Sequence, residues 1–161
     1  MADFLEALAG VLRHEGEHAN DSADLGGETF RGIARNFHPE WQGWKLIDAG
    51  QREGPELDKE VEDFYRAEFW KFDDITSQEL ANKLMDQAVN RGLNSAVKLL
   101  QHVLGLTEDG VFGPQTLAAA NAAVNLTSKL RVASVLRRFQ RIKEDPSQAK
   151  FLQSWVVRDA E

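Results

Sequence analysis

Between Glu15 and Thr29 the chain carries Glu15, Asp21, Asp24, Glu28 and Thr29, with Gly26-Gly27 among them. Hydrolysis of a glycosidic bond uses side chains of this kind. A protonated carboxylic acid gives its proton to the leaving oxygen, while a second group activates water or stabilises the developing cation. The two need different environments, one apolar enough to keep its proton near neutral pH and one polar enough to stay ionised. Glu15 continues the series Phe4, Leu8, Val11 at helical spacing, so its carboxylate falls at the end of an apolar stripe. Partial burial and the negative end of the helix dipole both favour the protonated form there. A chain that folds back at Gly26-Gly27 can bring Asp24 and Thr29 opposite Glu15.

The same residues have plainer readings. A Glu that ends an amphipathic helix and is followed by polar residues also describes a solvated helix exit, and spacing alone leaves both readings open. A calcium loop fits less well, because Asp21 to Glu28 is too short an interval and lacks the D-x-D-x-D-G order. His14 and His18 stand four apart without an H-E-x-x-H motif, which argues against zinc. The chain has no cysteine, so thiolate ligands, cysteine nucleophiles and disulfides are excluded. The chemistry expected here requires no metal and no organic cofactor.

The elements that must position these groups read as helices. Phe4, Leu8 and Val11 make one stripe, Trp41, Trp44 and Ile47 belong to a short helix after Pro39, and Leu57, Val61, Tyr65 and Phe69 mark a longer one from about Pro55 to Phe72. Thr76 and Glu79 have capping-box spacing, Asn94 can cap the next helix, and Pro114 suits the first position of another. Two further helices, Thr127 to about Lys143 and Ser147 to about Asp159, close the chain. The expected fold is all-α with about seven helices and at most a short hairpin near residues 24–34.

The order of residues adds to this. E-G-x-x-x-N-D-x-x-D-x-G-G-x-T-x-x-G-I, from Glu15 to Ile33, resembles the signature of glycoside hydrolase family 108, the lysozyme-like N-acetylmuramidases of phage endolysins and secretion-activator proteins. FYRAEFWKF (64–72) resembles that family's aromatic helix, residues 86–119 its C-terminal peptidoglycan-binding region, and FLQSWVVRD its closing Trp-x-x-Arg element. The resemblance implies a lysozyme-like fold, with residues 1–85 catalytic and 86–161 peptidoglycan-binding, packed as one unit. It puts the catalytic glutamate on Glu15, with Asp24 and Thr29 as partners. It also implies cleavage of the β-1,4 bond between N-acetylmuramic acid and N-acetylglucosamine. An inverting route is expected because the second group comes from a polar loop that leaves room for a water. The chain departs from the family pattern at Glu17, His18 and Leu25; Glu17 adds a carboxylate beside Glu15, which is expected either to raise the Glu15 pKa further or to alter substrate fit.

Tyr65 is a candidate sugar contact because a buried hydroxyl needs a partner, while the other aromatic residues read as core. Asp86 and Asn90 stand four apart on a helix, and the resemblance makes Asn90 a candidate ligand for an N-acetyl or stem-peptide amide. The turn Thr107–Thr116 is accounted for by turn chemistry at Asp109-Gly110 and Gly113-Pro114. Lys129, Arg131, Arg137, Arg138, Arg141 and Lys143 read as a solvated face opposite Val132, Val135, Leu136 and Phe139. A net charge of −7 argues against nucleic acid as a partner. No apolar run reaches the roughly 20 residues that span a bilayer, and the acidic N-terminus does not read as a signal peptide. The expectation is a monomer acting on glycan strands in the periplasm or wall, reached by a route other than a cleavable signal.

Overall fold

Apolar residues at helical spacing bury themselves in pairs of helices, and the stripe Phe4, Leu8, Val11 does so along the first one. The computed structural model describes the backbone of residues 1–15, 18–20 and 27–160, and the side chains of that set apart from 14, 15, 18–20 and 160. Among the described residues there are eight α-helices: α1 (Phe4–Glu15), α2 (Gly43–Asp48), α3 (Pro55–Phe69), α4 (Gln78–Arg91), α5 (Leu93–Leu104), α6 (Pro114–Ala122), α7 (Leu126–Glu144) and α8 (Leu152–Ala160). A 3-10 turn, Pro146–Phe151, joins the last two. The mostly helical architecture expected from the pattern is present, and it is the lysozyme-like one that the resemblance implies.

The strand content is a small antiparallel sheet of three short strands in sequence order, β1 (His18–Asn20), β2 (Glu28–Phe30) and β3 (Ile33–Ala34). The expected hairpin is β2–β3. Its turn, Arg31-Gly32, has positive φ at both residues, 44° and 81°, the backbone of a type I′ turn that matches the twist of paired strands. The sheet also takes in β1, ahead of the expected 24–34.

The core lies between α1, α3, α4 and α5, where Phe4, Leu8, Val11, Leu57, Val61, Leu84, Met85, Leu99 and Leu100 are buried. Helix α4 is the central element. It packs along α1 in the same direction, with Asp3 bonded to Gln78 and Glu6 to Asn82, and it also touches α5 and α7.

Several local expectations are corrected. Ser77, not Thr76, caps α4: its hydroxyl accepts from Leu80 N–H at 3.3 Å, while Thr76 N–H is taken by Asn121 at 2.9 Å. Helix α5 starts at Leu93, one residue before Asn94, because Gly92 at φ 83° already breaks the run from α4. Helix α3 stops at Phe69, where Trp70 turns extended and enters the core. The largest reversal is on α7. Val132 and Leu136 are 61% and 58% exposed, while Ser134 and Arg138 are buried. Polar groups supplied by α4 and α8 hold the buried side, which outweighs the apolar pattern.

Candidate active site

The chain leaves α1 at Glu15 and enters β1 three positions later. In the register of the sheet, Ala19 faces Thr29 and Asn20 faces Glu28. Thr29 is thereby tied by backbone to a strand that begins just beyond the C-terminal end of α1. Alternation along β2 puts Thr29 on the face opposite Phe30, whose side chain is in the core. The Thr29 hydroxyl donates to Gly27 O at 3.3 Å. The carboxylate of Glu15 and all of Asp24 lie outside the described residues.

Helix α3 holds the hairpin that carries Thr29. Tyr65 donates its hydroxyl to Arg31 O at 2.9 Å, and Arg31 donates to Asp58 at 2.6 Å. Trp41 adds an indole N–H bond to Glu60 O at 3.1 Å. Tyr65 is 1% exposed, so it anchors the hairpin from behind and presents no open surface to a sugar. Its buried hydroxyl does have the partner that burial demands.

Glu28, next to Thr29, is engaged by Arg35 at 2.8 Å, and Arg35 also meets Asp48 at 2.7 Å. The Arg35 guanidinium stacks 4.3 Å from the Trp44 ring. Its pKa is raised above the ordinary value, chiefly by the hydrogen bond to Asp48 and further by Glu28. Glu28 therefore closes the β3 end of the sheet onto α2.

Asp86 and Asn90 meet on the far end of α4, where both reach the guanidinium of Arg158 from α8. Asp86 accepts from Arg158 Nε at 2.8 Å and from Lys83 Nζ at 3.4 Å. With its amide oxygen turned to the guanidinium, Asn90 accepts from Arg158 Nε and, at 3.1 Å, from Nη2. Through this polar contact Asp86 and Asn90 hold α8 to α4. The neighbouring Asp159, 0% exposed, takes Arg138 Nε at 3.0 Å, Gln87 at 2.9 Å and Arg91 at 3.3 Å. Arg158 and Asp159 belong to the stretch singled out in the sequence, but their partners on α4 and α7 carry no sequence signal of the pairing. Among the described residues no cluster of three or more His, Asp or Glu could hold a metal ion.

Two family descriptions cover almost the whole chain. The family model Glycosyl hydrolase 108 matches residues 8–92, and the one described as Predicted Peptidoglycan domain matches residues 95–160. Among solved structures, the one titled "Structure of Brucella abortus SagA" is similar at a TM-score of 0.73 and 28% identity, over 98% of this chain and 89% of that one. No curated protein matches the sequence.

Proposed function

Because the chain belongs to the glycosyl hydrolase 108 family, and so acts on peptidoglycan as a lysozyme-type glycoside hydrolase, we propose that it is an N-acetylmuramidase. It cleaves the β-1,4 bond between N-acetylmuramic acid and N-acetylglucosamine, with Glu15 as general acid. The observation that carries this reading is the placement of Glu15 as the last residue of α1, three positions ahead of a strand paired with the one that holds Thr29. The last-turn carbonyls of α1 bear partial negative charge, which disfavours ionisation of a carboxyl close by. A carboxyl that keeps its proton can deliver it to the glycosidic oxygen as the bond breaks.

Asp24 and Thr29 supply the second half. Asp24 accepts a proton from water, Thr29 orients that water from β2, and water attacks the anomeric carbon on the face opposite the leaving group. The route inverts, so the new reducing end is first formed as the α-anomer. Tyr65, Asp86 and Asn90 act in this reading through what they hold: Tyr65 the hairpin bearing Thr29, and Asp86 and Asn90 the closing helix through Arg158.

Residues 1–85 carry the catalytic groups and 86–161 contact the polymer, as a monomer acting at the wall. Clearing of purified sacculi by wild type and by Glu15→Gln tests the assignment. Loss of about 10²- to 10⁴-fold in rate is expected for removal of a general acid; clearing at the wild-type rate would remove Glu15 from the mechanism. Timed analysis of the anomers reads the stereochemistry, and early β-anomer would replace inversion by a retaining route.

A further inference from the structure

A cleft of about 220 Å³ opens between α1, α4, α7 and α8. It lies on a different side of α1 from Glu15. Ala7, Gly10 and Arg13 border it, three positions apart, whereas Glu15 follows the buried series Phe4, Leu8, Val11; at about 100° per residue the two faces diverge. The residues lining it include four cations, Arg13, Lys83, Arg131 and Arg158, against two carboxylates, Glu79 and Asp86.

Two of the cations lining the cleft keep donor capacity that the described residues do not take up. Lys83 has a side chain only 4% exposed, and its ammonium bonds Arg158 O at 2.8 Å and Asp86 at 3.4 Å. An ammonium has three protons to donate, and among the described residues the third meets no acceptor. Burial is the largest influence on this group and pulls its pKa below the ordinary lysine value, against Asp86 and Asp159, which favour the charge. The Arg13 guanidinium folds back over Gly10, with its Nη2 3.7 Å from where a Cβ would stand. It has no carboxylate partner among the described residues. Gly10 itself lines the cleft, and a Cβ there would stand in ordinary contact with Arg13 and take up part of the space.

We infer that this cleft is a binding site for a carboxylate on a short aliphatic stem, as in an acidic amino-acid residue, held between the Arg13 guanidinium and the Lys83 ammonium. A planar fork and a point charge facing one cavity suit a planar anion. The floor at Gly10 offers apolar backbone surface to the stem, which a bare tetrahedral anion would not use. The volume is below the usual range of roughly 300–1,000 Å³ for drug-sized ligands, which fits one residue and not a sugar chain. The site is independent of the muramidase reading.

Titration of isotope-labelled full-length protein with N-acetylglutamate and N-acetylglutamine, each with its α-carboxyl amidated, and with inorganic phosphate, followed by amide shifts along α1 and α4, tests it. The acid is expected to bind at the cleft and the amide to bind at least about tenfold more weakly, since a charge-assisted pair is lost. Arg13→Gln, at an exposed position, and Gly10→Met, which fills the cleft from a helix-compatible site, are each expected to weaken the acid by a similar factor. Glu15→Gln binds as wild type, so the result stands apart from the fate of the catalytic assignment. Equal affinity for acid and amide, unchanged affinity in both cleft variants, or tighter binding of phosphate than of the acid would each overturn the assignment. Disaccharide-peptides with the acidic residue free or amidated then identify the source. Preference for the free acid places the ligand on the wall polymer, and binding of N-acetylglutamate without any binding of the disaccharide-peptide places it on another acidic peptide.

Discussion

Asp159 is the residue on which the C-terminal half leans most. A carboxylate with no exposed surface is tolerable only while its partners are in place, and Arg138, Arg91 and Gln87 reach it from α7 and α4. Burial alone would raise its pKa; the hydrogen bonds from Gln87, Arg138 and Ser134 and the charge of Arg138 outweigh that and hold it below the ordinary aspartate value. Burial pushes the guanidinium of Arg91 down to about 10, with Arg138 adding to the shift and Asp159 opposing it. Since the folded pKa of Asp159 is depressed, its stabilisation is fully present above the unfolded aspartate pKa near 3.9. It is lost as pH falls through the folded value. Asp159→Asn is expected to destabilise by about 3 kcal/mol at pH 7 and to flatten the acid limb of stability against pH, both read by urea unfolding across pH 3–7. An unchanged acid limb would show that Asp159 is not the group being titrated.

At the scale of elements, α3 matters through what it holds. Tyr65→Phe removes one buried hydroxyl bond to the Arg31 carbonyl and is expected to cost about 1–3 kcal/mol, because that carbonyl is left without its donor. The hairpin bearing Thr29 then loosens, so activity should fall with a clear effect on kcat while the far-ultraviolet circular dichroism stays native. Helix α7 makes the opposite kind of prediction. Leu136→Gln is expected to change stability by less than about 0.5 kcal/mol, where a buried leucine truncated to alanine would lose about 2–5 kcal/mol; a melting curve decides between the two. This is also where sequence reading had its limit. The stripes of α1 and α3 were legible because their apolar residues pack on other apolar residues. The buried side of α7, Ser134 and Arg138, is set by Gln87 and Asp159, which stand far away in the chain and leave no periodic mark. Glu15 at a helix end and Thr29 on a short strand were legible from spacing and turn chemistry. The cleft between Arg13 and Lys83 was not, because it exists only once four helices have met.

At the scale of the molecule, α4 and α8 join the segment matched by the hydrolase family to the segment matched by the peptidoglycan description. Helix α4 packs on α1, α5 and α7, and α8 returns to α4 through Arg158 and Asp159. Unfolding is therefore expected to be a single transition, with tryptophan fluorescence and circular dichroism giving coincident midpoints. Two separated midpoints would mean that the halves fold independently. Mass spectrometry of the muropeptides released from sacculi tests the proposed muramidase activity and the proposed role of Glu15 together. Products ending in reducing N-acetylmuramic acid are expected with wild type, and their near absence with Glu15→Gln. Products ending in reducing N-acetylglucosamine, cleavage of the peptide instead of the glycan, or the same yield from both proteins would contradict it.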